Sequence, residues 1–162
     1  MAETMEAGQL TMTRTFGVPP ERVFDAWVDP EQRMKWWSAQ EGMYCDACEI
    51  DARPGGGYRI NMKPADASHE YVVVGEFLEF DRPRRLVMTW SWEEGCGDPS
   101  EPGSFARDTR LTLDFKPVGG GTELTLTHVG FTDQPQRDNH LEGWTGCLSA
   151  LGALFDEGGA SS

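Results

Sequence analysis

Positive charge is scarce in this sequence. Only 14 Lys and Arg residues stand against 27 Asp and Glu residues, which gives a formal net charge of -13 and an isoelectric point of about 4.5. Nucleic-acid backbones and anionic membrane surfaces carry the same sign of charge and would repel such a chain. We therefore expect no nucleic acid and no membrane among its main partners.

Long apolar runs and a secretory leader are also lacking. No apolar stretch approaches the roughly 18 residues that a membrane-spanning helix needs. The N-terminal residues do not show the basic, apolar and small-residue succession of a signal peptide. The sequence therefore predicts a soluble, cytoplasmic protein whose four cysteines (Cys45, Cys48, Cys96 and Cys147) are free thiols in a reducing compartment.

Metal and phosphate motifs are incomplete. Cys45 and Cys48 have the CxxC spacing of zinc sites, but no second CxxC follows. If this stretch is a strand, residues three apart point to opposite faces, so both thiolates could not reach one metal. The segment Arg53-Pro54-Gly55-Gly56-Gly57 lacks the Lys-Ser/Thr of a phosphate loop and predicts a turn. We predict no metal site and no cofactor.

The clearest periodicity lies at the C-terminal end. Apolar residues recur there every three or four positions, at Leu141, Trp144, Leu148, Leu151 and Phe155. This stripe predicts a helix over residues 134–157, about 36 Å long, with Asp133 as its N-cap. Three internal glycines each cost roughly 1 kcal/mol relative to Ala, so we expect a sheet to support the helix.

Shorter elements precede it. Residues 1–7 are polar and predicted to be frayed, and alternation from Leu10 to Phe16 predicts a strand. Two short helices follow, one over residues 20–28 and one that starts at Pro30 with Asp29 as its N-cap. Met34 and Trp37 give the apolar side of the second helix.

From Met43 onward, alternating runs between glycine and proline clusters predict about six antiparallel strands. We expect a β-bulge around Gly75 and a long loop over residues 93–104, which would either cover a pocket as a gate or simply be solvated.

Together these elements predict an α+β fold in which one curved antiparallel sheet wraps round the long C-terminal helix. We expect a single domain over residues 1–162, ordered over about 8–157. Side chains cannot meet everywhere between such a sheet and a single helix, so a cavity is expected between them.

The chain resembles the SRPBCC, or START-like, superfamily. The segments that carry the resemblance are VPPERVF (18–24), DPE (29–31), WW (36–37), DARPGG (51–56), GEF (75–77), LVMTW (86–90), GGT (120–122) and GW (143–144). Within that superfamily it is most similar to homologues of the activator of the heat-shock-protein-90 ATPase. The resemblance implies the helix-grip (Bet v-like) fold and an internal pocket for an apolar ligand, and relatives include polyketide cyclases and lipid carriers.

Large, polarisable side chains are the best candidates for lining such a pocket. The candidate ligand-binding residues are Trp37, Tyr58, Met62, Met88, Trp90, Trp92, His128, Phe131, His140, Trp144 and Leu148, with Trp36 beside them. For any single one of these side chains, ordinary hydrophobic core is the favoured interpretation, and pocket lining is the alternative.

The three histidines differ in expected role. His128 shares a strand face with Leu124 and Leu126, so it should point inward and have a hydrogen-bond partner there. It could be a satisfied core residue, orient a ligand or act as an acid or base. His140 could lie at the mouth of a pocket, although a capping or surface role is favoured, and His69 is expected to be exposed.

The sequence therefore predicts a protein that encloses a small hydrophobic or aromatic molecule. Two alternatives stay open: a polyketide-cyclase-like or hydratase-like enzyme in which His128 moves a proton, and a co-chaperone-like interaction domain. No nucleophile beside a base and no split carboxylate pair is visible, and Glu76 and Asp114 are more simply sheet-surface residues. Whether the chain is an enzyme, and whether it forms a homodimer, is left open.

Overall fold

The computed structural model describes residues 3–6, 8–36, 43–64, 71–92, 108–131 and 134–159. The elements in chain order are β1 (Glu3–Glu6), β2 (Gln9–Phe16), α1 (Pro20–Val28), α2 (Pro30–Trp36), β3 (Met43–Ile50), β4 (Gly57–Pro64), β5 (Tyr71–Asp81), β6 (Arg85–Trp92), β7 (Thr109–Val118), β8 (Gly121–Val129) and α3 (Gln134–Gly159). Trp37, His69, Asp133 and the loop over residues 93–104 lie outside the described residues.

The strands form one eight-stranded antiparallel sheet in the order β1-β2-β8-β7-β6-β5-β4-β3. The sheet is curved, and α3 is the long C-terminal helix that the sequence predicts. The predicted fold class is therefore confirmed. Among the described helices, none has a stretch long and apolar enough to cross a membrane.

The apolar stripe of α3 packs into the main hydrophobic core. Trp144, Leu148, Leu151 and Phe155 are all buried there. The Phe155 ring meets the Phe16 ring of β2 edge to face, with centroids 5.5 Å apart. A Cβ on Gly152 would lie 3.6 Å from the Phe16 ring, which is an ordinary van der Waals contact, so this turn of the helix lies directly against β2. Packing against the sheet thus offsets the low helix propensity of the α3 glycines.

The first residues differ from the expectation of a frayed end. Glu3–Glu6 form β1, which pairs with Gln9–Met12 of β2 at the edge of the sheet. A polar composition does not prevent pairing here, because the backbone hydrogen bonds of an edge strand do not depend on an apolar alternation of its residues.

The short helices confirm one expectation and correct another. Asp29 caps α2 as predicted, since its Oδ1 accepts a hydrogen bond from the Glu31 amide at 3.1 Å. The predicted apolar side of α2 was wrong, because Met34 is 39 % exposed whereas Arg33 and Trp36 are buried. Arg33 and Trp36 are three residues apart and so share the helix face that is buried against the rest of the chain.

The bulge of β5 lies later than predicted. The register shifts between Phe77 and Glu79, so the extra residue is Leu78, which is 51 % exposed. Gly75 has a different role: a Cβ there would lie 2.1 Å from the Thr89 carbonyl oxygen and 2.6 Å from the Tyr58 hydroxyl. The glycine therefore makes room for the Tyr58 ring, which the alternation of the sequence could not indicate.

A second bulge overturns the predicted geometry of the two cysteines in β3. Cys45 pairs with Met62 and Cys48 pairs with Ile60, and the register shifts between Cys45 and Ala47. Directly opposed residues of paired strands point to the same face, and Met62 and Ile60 both face the core. Cys45 and Cys48 therefore lie on one face of the sheet and pack against that core. The expectation of opposite faces was wrong because it assumed an unbroken alternation.

The close approach at Gly75 can be tested by adding one methyl group. We expect Gly75→Ala to lower the free energy of unfolding by about 3 kcal/mol, since a backbone carbonyl cannot move aside as a flexible side chain can. The measurement is urea-induced unfolding of the full chain followed by tryptophan fluorescence.

The matched control is Gly57→Ala, because Gly57 is in the neighbouring strand. Its Cβ would meet, among the described residues, only the Gly75 carbonyl oxygen at 3.6 Å. This change should stay within about 0.5 kcal/mol of the parent. Equal stability of the two variants would contradict the proposed role of Gly75.

Candidate functional site

Seven of the predicted site residues form one connected set of ring contacts, which we call the aromatic cluster. Its members are Tyr58, Trp90, Trp92, His128, Phe131, His140 and Trp144. The closest ring pairs are His128 with Phe131, at 4.5 Å between centroids, and Phe131 with His140, at 4.9 Å. Trp90 lies 5.0 Å from Trp144. The cluster therefore joins β4, β6 and β8 to α3.

His128 is fully buried at the centre of the aromatic cluster, and both of its ring nitrogens are engaged. The Thr109 hydroxyl donates its single proton to the Trp90 carbonyl oxygen at 2.6 Å, and its oxygen lies 2.8 Å from His128 Nε2. Nε2 must therefore carry the proton and donate it to Thr109. Trp144 Nε1, which can only donate, lies 3.2 Å from Nδ1. This pattern assigns His128 as the neutral Nε2–H tautomer.

Electrostatics favour the same neutral state. Burial lowers the pKa of His128 well below its ordinary value of 6.5, and the neighbouring His140 lowers it further. Protonation of Nδ1 would also break the hydrogen bond from Trp144. The imidazole is therefore a fixed hydrogen-bonding group near neutral pH, and the expectation that it points inward and has a partner is confirmed.

His140 does not have the surface or capping role that the sequence favoured. It is only 6 % exposed, and its Nε2 lies 2.8 Å from Trp92 Nε1. An indole nitrogen can only donate, so Nε2 accepts and the remaining proton of a neutral ring sits on Nδ1. The expectation was wrong because the curved sheet brings Trp92 of β6 over the first turns of α3.

Tyr58 is also held in its neutral form. Its hydroxyl donates to the Thr89 carbonyl oxygen on β6. Burial raises the pKa of the phenol, and Arg33 opposes part of that rise. The phenol therefore keeps its proton across the physiological range.

The remaining predicted residues divide into three groups. Met62, Met88 and Leu148 are buried in the same hydrophobic core as the aromatic cluster. Trp36 is buried beside Trp27, at 4.7 Å between ring centroids, and donates to the Ala26 carbonyl oxygen. Trp37 lies outside the described residues.

Two side chains that sequence reasoning missed belong to the site. Trp27 of α1 lies 5.7 Å from Trp144 between ring centroids, and its buried Nε1 has no hydrogen-bond partner among the described residues. Thr109 fixes the His128 tautomer. The sequence did contain a signal for Thr109. Leu111, Leu113 and Phe115 alternate along one strand, and Thr109, two residues before Leu111, lies on the same inner face.

Arg33 is the third missed residue. It is 2 % exposed, and its guanidinium carbon lies 5.0 Å from the ring centroids of both Trp27 and Trp36. Its Nη1 donates to the Trp27 carbonyl oxygen at 2.9 Å. Burial lowers the pKa of Arg33, but a guanidinium stays charged in proteins. A permanent positive charge therefore lies next to the tryptophans at the edge of the aromatic cluster.

The two carboxylates considered as catalytic candidates lie elsewhere. Glu76 is exposed, and its backbone amide donates a hydrogen bond to the Thr89 hydroxyl. Asp114 pairs with Arg85 at 2.8 Å across β6 and β7. In the described ranges, no group of three or more His, Cys, Asp or Glu side chains could hold a metal ion.

The neutral burial of His128 predicts a specific pH dependence of stability. Its folded-state pKa lies below the unfolded value near 6.5, so below that pH the unfolded chain binds a proton that the folded chain does not. The free energy of unfolding should therefore fall by up to about 1.4 kcal/mol for each pH unit below 6.5. Above pH 6.5, His128 should cause no further change of stability with pH.

The measurement is urea unfolding at pH 7.5 and 5.5, with His128→Gln as control because an amide can both donate and accept. The parent should lose about 1.4 kcal/mol more than this variant between the two conditions. The ¹⁵N chemical shifts of the His128 ring test the tautomer independently of any variant. An imidazolium spectrum at pH 6, or equal losses in both proteins, would contradict the assignment.

Comparison with known proteins places this chain in a family. A protein from Chromobacterium violaceum matches with a TM-score of 0.76 at 27 % identity, covering 91 % of this chain and 96 % of its own. The AHSA1 protein from Silicibacter pomeroyi matches with a TM-score of 0.75 at 25 % identity, covering 91 % and 97 %. The AHSA1-like protein from Aeromonas hydrophila has the same fold, with a TM-score of 0.75 at 20 % identity over 93 % and 94 % of the two chains.

A search of curated protein sequences finds no match to this chain. The family model described as "Activator of Hsp90 ATPase homolog 1-like protein" matches residues 17–156. That range begins before α1 and ends within the last turns of α3, so it includes every described member of the aromatic cluster. The chain therefore belongs to the family of proteins like the activator of Hsp90 ATPase homologue 1, with its helix-grip fold.

Proposed function

We propose that this protein binds one small, uncharged, hydrophobic or aromatic molecule in the interior between the curved sheet and α3. The observation that carries the proposal is the aromatic cluster itself. Its seven members are all aromatic rings, six of them are buried, and none carries a charge in the observed hydrogen-bonding pattern. Ring faces of this kind bind flat or apolar molecules without strict demands on shape.

The neutrality of the cluster selects the class of ligand. His128 uses both ring nitrogens within the protein, and His140 accepts from Trp92. Neither imidazole therefore offers a charge to an ionic ligand. An ion placed against the rings around His128 and His140 would lose its hydration among neutral groups, which is costly in an apolar interior. An uncharged ligand avoids that cost.

Trp27 adds one polar feature. Its Nε1 is buried and lacks a hydrogen-bond partner among the described residues, and a buried donor in that state costs about 1–3 kcal/mol. Its ring lies against Trp144 of the aromatic cluster. We assign this N–H as the donor to a single acceptor oxygen on an otherwise apolar ligand.

Trp92 marks the side from which the ligand reaches the cluster. It is the only half-buried member, and it ends β6 immediately before the loop that the sequence analysis considers as a gate. The gating role of residues 93–104 stays a prediction, as do the cytoplasmic location and the homodimer.

The enzyme alternative has weaker support from the geometry. A general acid or base near neutral pH needs a free ring nitrogen and a pKa close to the working pH. Both nitrogens of His128 are engaged, and its pKa lies well below the ordinary value. Binding is therefore favoured over proton transfer by this histidine. A co-chaperone-like role also stays a prediction.

The binding proposal is tested with a neutral fluorescent probe, N-phenyl-1-naphthylamine. We expect one probe per chain, with energy transfer from tryptophan, and about tenfold weaker binding to Trp92→Ala, which corresponds to about 1.4 kcal/mol. Trp92 is preferred to Trp144 because truncating a fully buried tryptophan costs about 3–5 kcal/mol of stability by itself.

The matched control is Phe155→Leu, at the far end of α3 in the same core. It should leave the probe affinity unchanged, and urea unfolding confirms that both variants are folded. The anionic naphthalene probe 1-anilinonaphthalene-8-sulfonate should bind more weakly than the neutral one. Equal losses in the two variants, or preference for the anion, would refute the proposed site.

The role of Trp27 predicts a preference between two ligands of nearly equal size. We expect 2-acetylnaphthalene, which has an acceptor oxygen, to bind about tenfold more tightly than 2-ethylnaphthalene, as one buried hydrogen bond allows. Trp27→Phe should remove this difference. Isothermal titration of both ligands against both proteins checks it, and a preference that survives in Trp27→Phe would exclude Trp27 as the donor.

A further inference from the structure

The bulge in β3 places two thiols on one face of the sheet, side by side. Cys45 and Cys48 oppose Met62 and Ile60, which are two residues apart on β4. Two residues of a strand span roughly 6.5 to 7 Å, so the backbones of the two cysteines are about that far apart. Neither cysteine is in a disulfide, and both are half-buried, which leaves their sulfurs within reach of a small ion.

The Cys45 side chain turns along the strand toward Cys48. Its Sγ lies 3.5 Å from the Ala47 carbonyl oxygen and donates to it. That carbonyl belongs to the peptide bond joining Ala47 to Cys48. The Cys45 sulfur therefore lies over the bulge, on the side where Cys48 follows.

A buried positive charge lies close to both thiols. Among the described residues, the groups that would raise the pKa of Arg33 if ionised are Cys48, which has the largest effect, followed by Tyr58, Cys147 and Cys45. Arg33 lies on α2, which packs directly against β3. Its guanidinium is buried and permanently charged, so it favours negative charge on the sulfurs beside it.

Arg33 alone does not create a reactive thiolate. Burial raises the pKa of Cys48, and this effect exceeds the lowering by Arg33. A disulfide is also disfavoured by the backbone spacing, which lies near the upper limit of the Cα separations that disulfides span. A ligand that displaces the thiol protons would stabilise the thiolates, which Arg33 alone does not do. Soft metal ions bind thiolates in this way.

We propose that Cys45 and Cys48 form a two-thiolate site for a monovalent soft metal ion of the Cu(I) class, with Arg33 balancing its charge. Two thiols lose their protons to solvent, and two thiolates with one monovalent cation form a complex of charge -1. The guanidinium of Arg33 offsets this negative charge, whereas the Asp29 and Glu49 carboxylates act on Cys48 in the opposite direction. Zinc would require four ligands, of which these two thiolates supply half.

This proposal is independent of the apolar ligand and is tested on the reduced full chain without oxygen. Cu(I) is supplied in a bicinchoninate buffer, and the competition gives stoichiometry and affinity. We expect one Cu(I) per chain, and an affinity at least about 100-fold lower in Cys45→Ser and in Cys48→Ser. Because thiols bind as thiolates, the affinity of the parent should rise at least about tenfold per pH unit between pH 6 and 8.

The matched control is Cys147→Ser, which removes the other described thiol near Arg33 and should leave the Cu(I) affinity within about threefold of the parent. The Arg33→Met variant removes the positive charge, and it should weaken binding about 10-fold to 100-fold, as loss of a supporting group around a metal site does. The Arg33→Lys variant keeps the charge and should bind Cu(I) more tightly than Arg33→Met. Circular dichroism establishes that each variant is folded, and Cys45→Ala and Cys48→Ala replace any serine variant that is not.

Three results would overturn the proposal. The first is a parent chain that takes no Cu(I) from bicinchoninate. The second is an affinity that survives loss of either Cys45 or Cys48. The third is an equal loss on removing Cys147, which would place the ion among other thiols.

Discussion

A neutral imidazole buried among aromatic rings must satisfy both of its nitrogens, and the way His128 does so determines how the layers of this protein meet. One hydrogen-bond chain runs from Trp144 through His128 and Thr109 to the Trp90 carbonyl oxygen. It joins α3 to β8, β7 and β6 in turn. Removing any member would leave another polar atom buried without a partner, so the chain holds the helix in one position on the sheet.

A second polar group organises the opposite side of the same interior. Arg33 holds α2 against α1 through the Trp27 carbonyl oxygen and lies between the rings of Trp27 and Trp36. The Trp27 ring in turn contacts Trp144. The interior therefore passes from neutral rings around His128 to a fixed positive charge near the thiols of β3. This gradient is the physical basis of the two sites that we propose, one for an apolar molecule and one for a soft ion.

Features of the site that depend on residues close together in the sequence could be predicted, whereas features that depend on residues far apart in the sequence could not. The inward direction of His128 and the apolar stripe of α3 were predicted because strand and helix periodicities are local. The burial of His140 was not, since it depends on Trp92, which lies 48 positions away in the sequence. The irregularity around Gly75 was noticed in the sequence, but the reason that this position needs a glycine is the Tyr58 ring of a neighbouring strand.

The sequence by itself determined the types and order of the elements, the α+β architecture and the set of aromatic residues from which the site is built. These follow from backbone periodicity and from the need to bury apolar surface, which each segment expresses alone. Tertiary structure decided the tautomer of His128, the buried side of α2 and the shared face of Cys45 and Cys48. Each of these depends on a partner distant in sequence, and a one-residue bulge is enough to reverse every side chain that follows it on the strand.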